Sequence, residues 1–335
     1  MKTAAEPSAK PVAAADKPAT IPNPEPKLNW AGFIRRGMVF WLLIVLIVLC
    51  RILYPGFLAR DNIFNILSQN VQVGLIALGM TFVMIAGGFD LSVGAIYAAA
   101  ATVYASEAKM MPLPLAGLVA LAVGFVAGTL NGVIVTRLKV NPFVATLGTT
   151  SIFGGAAYLY SHSAPVLVDR PDFTTLGAGR WFGVPISLFI LVAAYAIGAL
   201  VLSKTVYGRS LYAVGGNPEA ARLSGLRVDL LKTSTYALVG VLAAFGGMII
   251  ASRLSIGQAD IAGTMSLDAI AIVIIGGTSL FGGSGAVWRT AIGLLLLAVL
   301  TNIFDALALD SNFQSLIKGV IIIGAVALDA FSRRR

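Results

Sequence analysis

A nucleotide site is the first chemistry to look for in the 335 residues, and one stretch has suitably spaced glycines. Gly277-Thr278-Ser279-Leu280-Phe281-Gly282-Gly283-Ser284 keeps the pattern of a phosphate-binding loop. Gly283, however, stands where the phosphate-gripping lysine is required, and apolar runs flank the stretch on both sides. ATP is not bound by that route, so no cofactor is expected on this chain. The lone histidine, His162, sits in a polar connection between Ser161 and Ser163, without the companions that acid–base catalysis or a metal needs. Cys50 is the only cysteine, which excludes an intrachain disulfide and a cysteine metal cluster. With no paired carboxylates and no Ser/His/Asp set, the sequence argues against an enzyme.

A second chemistry is that of charge placed inside a membrane, which costs at least about 2.5 kcal/mol on insertion scales and therefore calls for a function or a partner. Asp90, Asp268 and Lys318 fall in or beside apolar runs, with Ser92, Asn131 and Asn302 as uncharged polar companions. Structural readings exist beside the functional one. Asp90 follows Gly87-Gly88 and is placed to N-cap a helix whose apolar run starts at Leu91. Asp268 and Lys318 can pair with each other or with backbone. Pathway and structural roles both stay open for these residues.

The elements that must carry them cross a bilayer. The chain is 58% hydrophobic and 12% charged, with a mean hydropathy of +0.88, far too apolar for a domain with a watered surface. Its net charge of +9 reads as membrane topology and not as nucleic-acid binding, because the basic residues sit between long apolar runs. Residues 1–36, rich in Ala, Pro and Lys without an apolar period, are expected to form a disordered cytoplasmic tail. No small-residue cleavage site follows Arg35-Arg36 and the apolar run after them, so that run is expected to be an uncleaved first span. Residues 37–335 then form the transmembrane domain. The fold class expected is all-α: a polytopic bundle of about ten helices over roughly 38–54, 64–86, 91–107, 113–136, 142–160, 184–203, 232–252, 267–281, 286–306 and 315–331. With both termini cytoplasmic, most Lys and Arg fall on the inner side, including Arg137, Lys139, Lys204, Arg209, Arg222 and Arg227, as short retained loops require. Small residues inside the spans, such as Gly124 and Gly128 or Gly246-Gly247, let helix backbones approach closely in lipid; hinge motion is the alternative reading.

The inner loop over 203–231 holds a self-contained signal. Gly216 precedes Asn217 as N-cap, Pro218 at the first helical position, Glu219 at the positive end of the dipole, Ala220, Ala221 and Arg222, and Gly225 as the stop. So short a helix is not stable alone in water. With Ala220 and Ala221 on its surface it reads as an element that inserts into a partner's groove; resting on the membrane surface is the plainer alternative.

At these residues the sequence resembles the permease subunits of ribose-type ABC importers, over about residues 40–331. Four blocks carry the resemblance: Ala86-Gly87-Gly88-Phe89-Asp90-Leu91-Ser92-Val93-Gly94; Asn141-Pro142-Phe143-Val144-Ala145-Thr146-Leu147-Gly148; Gly208-Arg209 followed by the run from Ala213 to Gly225; and Leu267-Asp268-Ala269-Ile270-Ala271 leading to Gly276-Gly277-Thr278-Ser279-Leu280. It implies a homodimer in the bacterial inner membrane, a cytoplasmic ATPase docked on the Glu219-Ala220-Ala221 loop, and an extracytoplasmic solute-binding protein that delivers a monosaccharide of the ribose, xylose, arabinose or galactose type. Two positions depart from the family pattern: Ser266 where an acid is usual, and Arg289 where glycine is usual. Nucleosides or branched-chain amino acids are alternative cargo. A stand-alone secondary transporter, coupled through Asp90, Asp268 and Lys318, is the rival class; it would have no need of the capped inner helix.

Overall fold

A computed structural model describes residues 38–332; the expected tail over 1–36 and the terminal arginines lie outside the described residues. The chain is an all-α membrane protein. Its helices are α1 (Met38–Leu53), α2 (Arg60–Gln69), α3 (Val71–Ile85), α4 (Val93–Glu107), α5 (Leu113–Thr136), α6 (Pro142–Tyr160), α7 (Thr175–Ala178), α8 (Ile186–Lys204), α9 (Val206–Gly216), α10 (Pro218–Leu223), α11 (Val228–Leu254), α12 (Met265–Ile275), α13 (Val287–Ala306) and α14 (Ser311–Ser332). Among the described residues four two-residue strands, β1 (Val166–Leu167), β2 (Arg180–Trp181), β3 (Val184–Pro185) and β4 (Ile256–Gly257), pair antiparallel as β1 with β4 and β2 with β3. Among the described residues four helices, α5, α8, α11 and α13, are long and apolar enough to cross a bilayer, or up to five spans if the bent pair α2 and α3 counts as one.

Two expected spans are shaped differently from the sequence reading. The stretch 64–86 is broken at Asn70, where α2 and α3 meet at 48°. Asn70 turns its amide back to the Ile66 carbonyl at 2.8 Å, and its backbone N–H goes to Leu67 at 3.2 Å instead of continuing the ladder. The stretch 267–281 is helical only to Ile275. Gly277, at φ +85°, closes it, with Gly277 N–H to the Ile274 carbonyl at 2.8 Å and Thr278 N–H to that of Val273 at 3.1 Å.

The core forms where small residues let backbones meet. Every residue of α3 is buried, and α11 packs along α3, α4 and α5 with Tyr97, Met80, Tyr236 and Ile249 filling the space between them. Along α5 and α11 the spacing is set by glycine: a Cβ at Gly128 would overlap the Tyr236 carbonyl, and one at Gly240 the Gly124 carbonyl. In lipid such close approach supplies the dispersion that solvent exclusion cannot.

The connections gather into two sets at opposite ends of α8. One set contains the turn after α3, the end of α9 and the loop between α12 and α13, joined by Gly283 N–H to the Ile85 carbonyl at 2.9 Å. The other contains the end of α4, the segment 165–178 and β4. There Arg170 donates to the carbonyls of Ala108 at 2.6 Å and Met111 at 3.2 Å, and pairs with Asp172 at 2.7 Å. That hydrogen bond to the guanidinium holds the Asp172 carboxyl below the usual carboxylate range.

Candidate functional site

The segment 203–231 is helical over most of its length, with α9 and α10 inside it, whereas the sequence marked only one short helix there. α8 runs straight to Lys204, and Thr205 caps α9 by accepting from Gly208 N–H at 3.1 Å. Asn217 then ends α9 and caps α10, its Oδ1 accepting from Glu219 N–H at 3.0 Å and Ala220 N–H at 3.1 Å. Pro218 occupies the first helical position, where its missing N–H costs nothing. Gly225 at φ +83° stops the helix, and Leu226 N–H returns to the Ala221 carbonyl at 3.1 Å.

One expectation about this helix is corrected. Ala220 is exposed, but Ala221 is not a surface residue: it is 5% exposed, packed against Val214 and Val228 with Leu226 and Leu231 around them. A helix of six residues needs an anchor, and Ala221 provides it by facing α9 and α11. The free face therefore consists of Glu219, Ala220, Leu223 and Ser224, with Leu223 84% exposed. Arg222 lies between two carboxylates, 3.8 Å from Glu219 and 3.2 Å from Asp229, and so ties α10 to the first turn of α11. Gly216 is exposed with open space where a side chain would go.

The polar residues marked at membrane depth separate into unconnected groups. Asp90, fully buried, does not cap α4, whose N-cap residue is Ser92. Its carboxylate accepts instead from Ser92 N–H at 2.8 Å, from Ser92 Oγ at 2.7 Å and from Asn131 Nδ2 at 3.3 Å, and Asn131 also donates to Ser92 Oγ at 2.6 Å. The buried Oδ1 of Asn131 has no hydrogen-bond partner among the described residues. Among the described residues, Asp268 and Lys318 form no ion pair with each other. Asp268, in the first turn of α12, takes its hydrogen bond from Thr264 Oγ1 at 2.8 Å, a local contact that serves the helix start. Asn302 is no companion of Asp90 either: it exchanges amide hydrogen bonds of 3.1 and 3.2 Å with Asn62, joining α13 to α2.

Two residues to which the sequence assigned no such role hold the Asp90 turn, and a third fastens the loop before α13. Tyr236 on α11 accepts from Phe89 N–H at 3.1 Å and donates to the Phe89 carbonyl at 3.0 Å. Ser266, noted only as a departure, donates to the Leu91 carbonyl at 2.7 Å and accepts from Gly94 N–H at 3.0 Å, so it clamps the start of α4 to α12. Tyr212 on α9 donates to the Gly285 carbonyl at 2.8 Å. A tyrosine in an apolar run signals a hydroxyl needing a partner, but not which one. Arg289, the other departure, is exposed and stacks on Trp288 at 5.3 Å.

Residues 62–326 match the model of a family described as branched-chain amino acid transport system / permease component. The chain is 38% identical over 316 residues to the ribose import permease protein RbsC of Bacillus subtilis, covering 93% of this chain and 98% of the relative. It is 34% identical over 323 residues to the probable ABC transporter permease protein YphD of Escherichia coli, covering 95% and 97%. A third relative is the galactose/methyl galactoside import permease protein MglC of Escherichia coli, 34% identical over 329 residues and covering 92% and 98%. No solved structure matches the chain.

Proposed function

This chain belongs to the family of branched-chain amino acid transport system permease components, and from that premise we propose that it is the permease of an ATP-binding-cassette importer for a monosaccharide of the ribose, xylose, arabinose or galactose type. The observation that carries the reading is its likeness, over nearly its full length, to permeases named for ribose and galactose import. The cargo named in the family description, branched-chain amino acids, is the second reading, with nucleosides beside it. The protein lies in the bacterial inner membrane, crosses it about ten times and keeps both termini in the cytoplasm. The grouping of connections supports this topology: the turn after α3, the end of α9 and the loop before α13 all fall on the side that the charge distribution assigns to the cytoplasm, and 161–183 falls on the other.

Two copies of the chain enclose the pathway. A cytoplasmic ATPase, which holds ATP and Mg, docks on the face of α10 that carries Glu219, and an extracytoplasmic solute-binding protein delivers the sugar. A six-residue helix capped at both ends and anchored through Ala221 is a rigid, exposed handle. Secondary transport has no use for one.

Radiolabelled ribose uptake into vesicles tests the assignment. Uptake is expected only when the ATPase, the binding protein and ATP are all present. Uptake by this chain alone, at a rate unaffected by adding them, would overturn the importer reading; dependent uptake of leucine but of no sugar would overturn the cargo.

A further inference from the structure

The stem of α10 meets the Asp90 turn through backbone alone. Gly215, the penultimate residue of α9, lies so close to Ile85 that a Cβ there would overlap the Ile85 carbonyl and stand 2.6 Å from Gly283 N. The same carbonyl accepts from Gly283 N–H at 2.9 Å. A Cβ on Gly282 would stand 2.7 Å from the Gly215 carbonyl and 2.9 Å from Gly87 Cα, and one on Gly283 would stand 2.9 Å from Gly216 Cα. Three chain segments, far apart in sequence, thus interlock with no side chain between them. Tyr212, one turn before Gly215, fixes the third segment through its bond to the Gly285 carbonyl.

Each neighbour of this knot leads to a different part of the protein. Gly215 and Gly216 run directly into Asn217 and α10. Ile85 and Gly87 run into Phe89 and Asp90, which Tyr236, Ser92 and Asn131 hold against α11, α4 and α5. Packed backbone without rotatable side chains does not absorb a displacement by changing rotamers; it passes the displacement on or breaks.

We propose that Gly215 and Tyr212 are positioning residues that transmit movement of the α10 helix, through the Ile85–Gly283 backbone contact, to the Asp90–Ser92–Asn131 cluster and so to α4 and α5. This rests on the coupling role of α10 proposed above. Residues that carry coupling without touching either partner change it by amounts equivalent to about 2- to 30-fold. ATPase docking, in contrast, depends on the free face of α10 and is independent of Gly215 and Tyr212.

The test uses the assembled importer carrying Tyr212→Phe, which removes one hydrogen bond and adds no volume, or Gly215→Ala. Three quantities are read: ATPase co-purified, ATP hydrolysed and sugar transported per ATP. Tyr212→Phe, and Gly215→Ala where it folds, are expected to retain the ATPase and its hydrolysis while sugar per ATP falls by about 2- to 30-fold. If Gly215→Ala yields no folded protein, Tyr212→Phe alone decides. An unchanged ratio in Tyr212→Phe would overturn the proposal, as would loss of the ATPase, which would make Tyr212 part of the docking surface. Failure of the coupling-helix reading itself shows elsewhere, as full ATPase retention and uptake in Glu219→Lys.

Discussion

At one end of α8 the chain is fastened by side chains, and at the other chiefly by backbone pressed on backbone. Residues 165–178 are held by Arg170 reaching the carbonyls at the end of α4, by Ser252 bonding both Gly177 and Phe173, and by Phe173 stacked on Tyr104 at 4.9 Å. Around Gly87, Gly215 and Gly282 the backbones touch directly. A side-chain clip holds a cover in place and lets it yield, because each rotamer is a soft joint. A backbone knot has no such joint, and it lies where an ATP-driven stroke would enter. The exposed helix α10 sits on the rigid end, which suits a lever better than a cover.

The largest effect expected from this difference is that of Gly282→Val. Gly282 combines φ +87° with a contact that a Cβ would violate at 2.7 Å. A β-branched residue there meets backbone strain of about 1–3 kcal/mol and overpacking of about 1–3 kcal/mol. Size-exclusion chromatography in detergent should show little or no monodisperse protein. A wild-type profile would mean that the knot is looser than its geometry.

A smaller effect is expected at the clip. Arg170→Ala leaves the carbonyls of Ala108 and Met111 without their donor and costs about 1–3 kcal/mol, lowering the thermal midpoint while the protein still folds and binds its ATPase. Loss of ATPase binding in Arg170→Ala would erase the distinction between the two ends. The ion pair adds a pH signature with a definite sign. The folded-state pKa of Asp172 is depressed by its bond to Arg170, so its contribution is complete above the unfolded value of about 3.9. That contribution disappears as pH falls through the lower folded value. Acidification from neutrality to about pH 4 should therefore leave the Arg170-dependent part of stability intact, and the difference between wild type and Asp172→Asn should vanish only below it.

Much of the local structure was legible in the sequence. Asn217, Pro218 and Gly225 act within a few residues of themselves, and each stands where its type demands. The apolar stretches carry helices for the same reason. What failed was pairing at a distance. Asp90 and Asn131 lie 41 residues apart, Ser266 and Leu91 lie 175 apart, and a polar residue in an apolar run announces that it needs a partner without naming it. Charge left Lys318 open as one partner for Asp268 beside backbone, yet Thr264, four residues away, satisfies Asp268 at lower entropic cost. Ala221 was misread because a two-turn helix shows too little period to tell its anchored side from its free one. Gly215 was hidden by its own simplicity, since a glycine at a helix end reads as a stop whether or not another backbone presses against it.

The central claim is that the free face of α10 receives the ATPase while the fold depends on other contacts. Replacing Glu219 by Lys tests it most directly. The carboxylate contributes about 0.3–1 kcal/mol to a short helix through its dipole, too little to unfold a bundle held by α3, α5 and α11. Across a docking surface, mismatched charge costs several kcal/mol. In affinity purification of the assembled importer, the Glu219→Lys protein should be recovered in normal yield and oligomeric state but without the ATPase subunit, and vesicles containing it should take up no sugar. Recovery of the ATPase at wild-type stoichiometry together with full uptake would contradict the account.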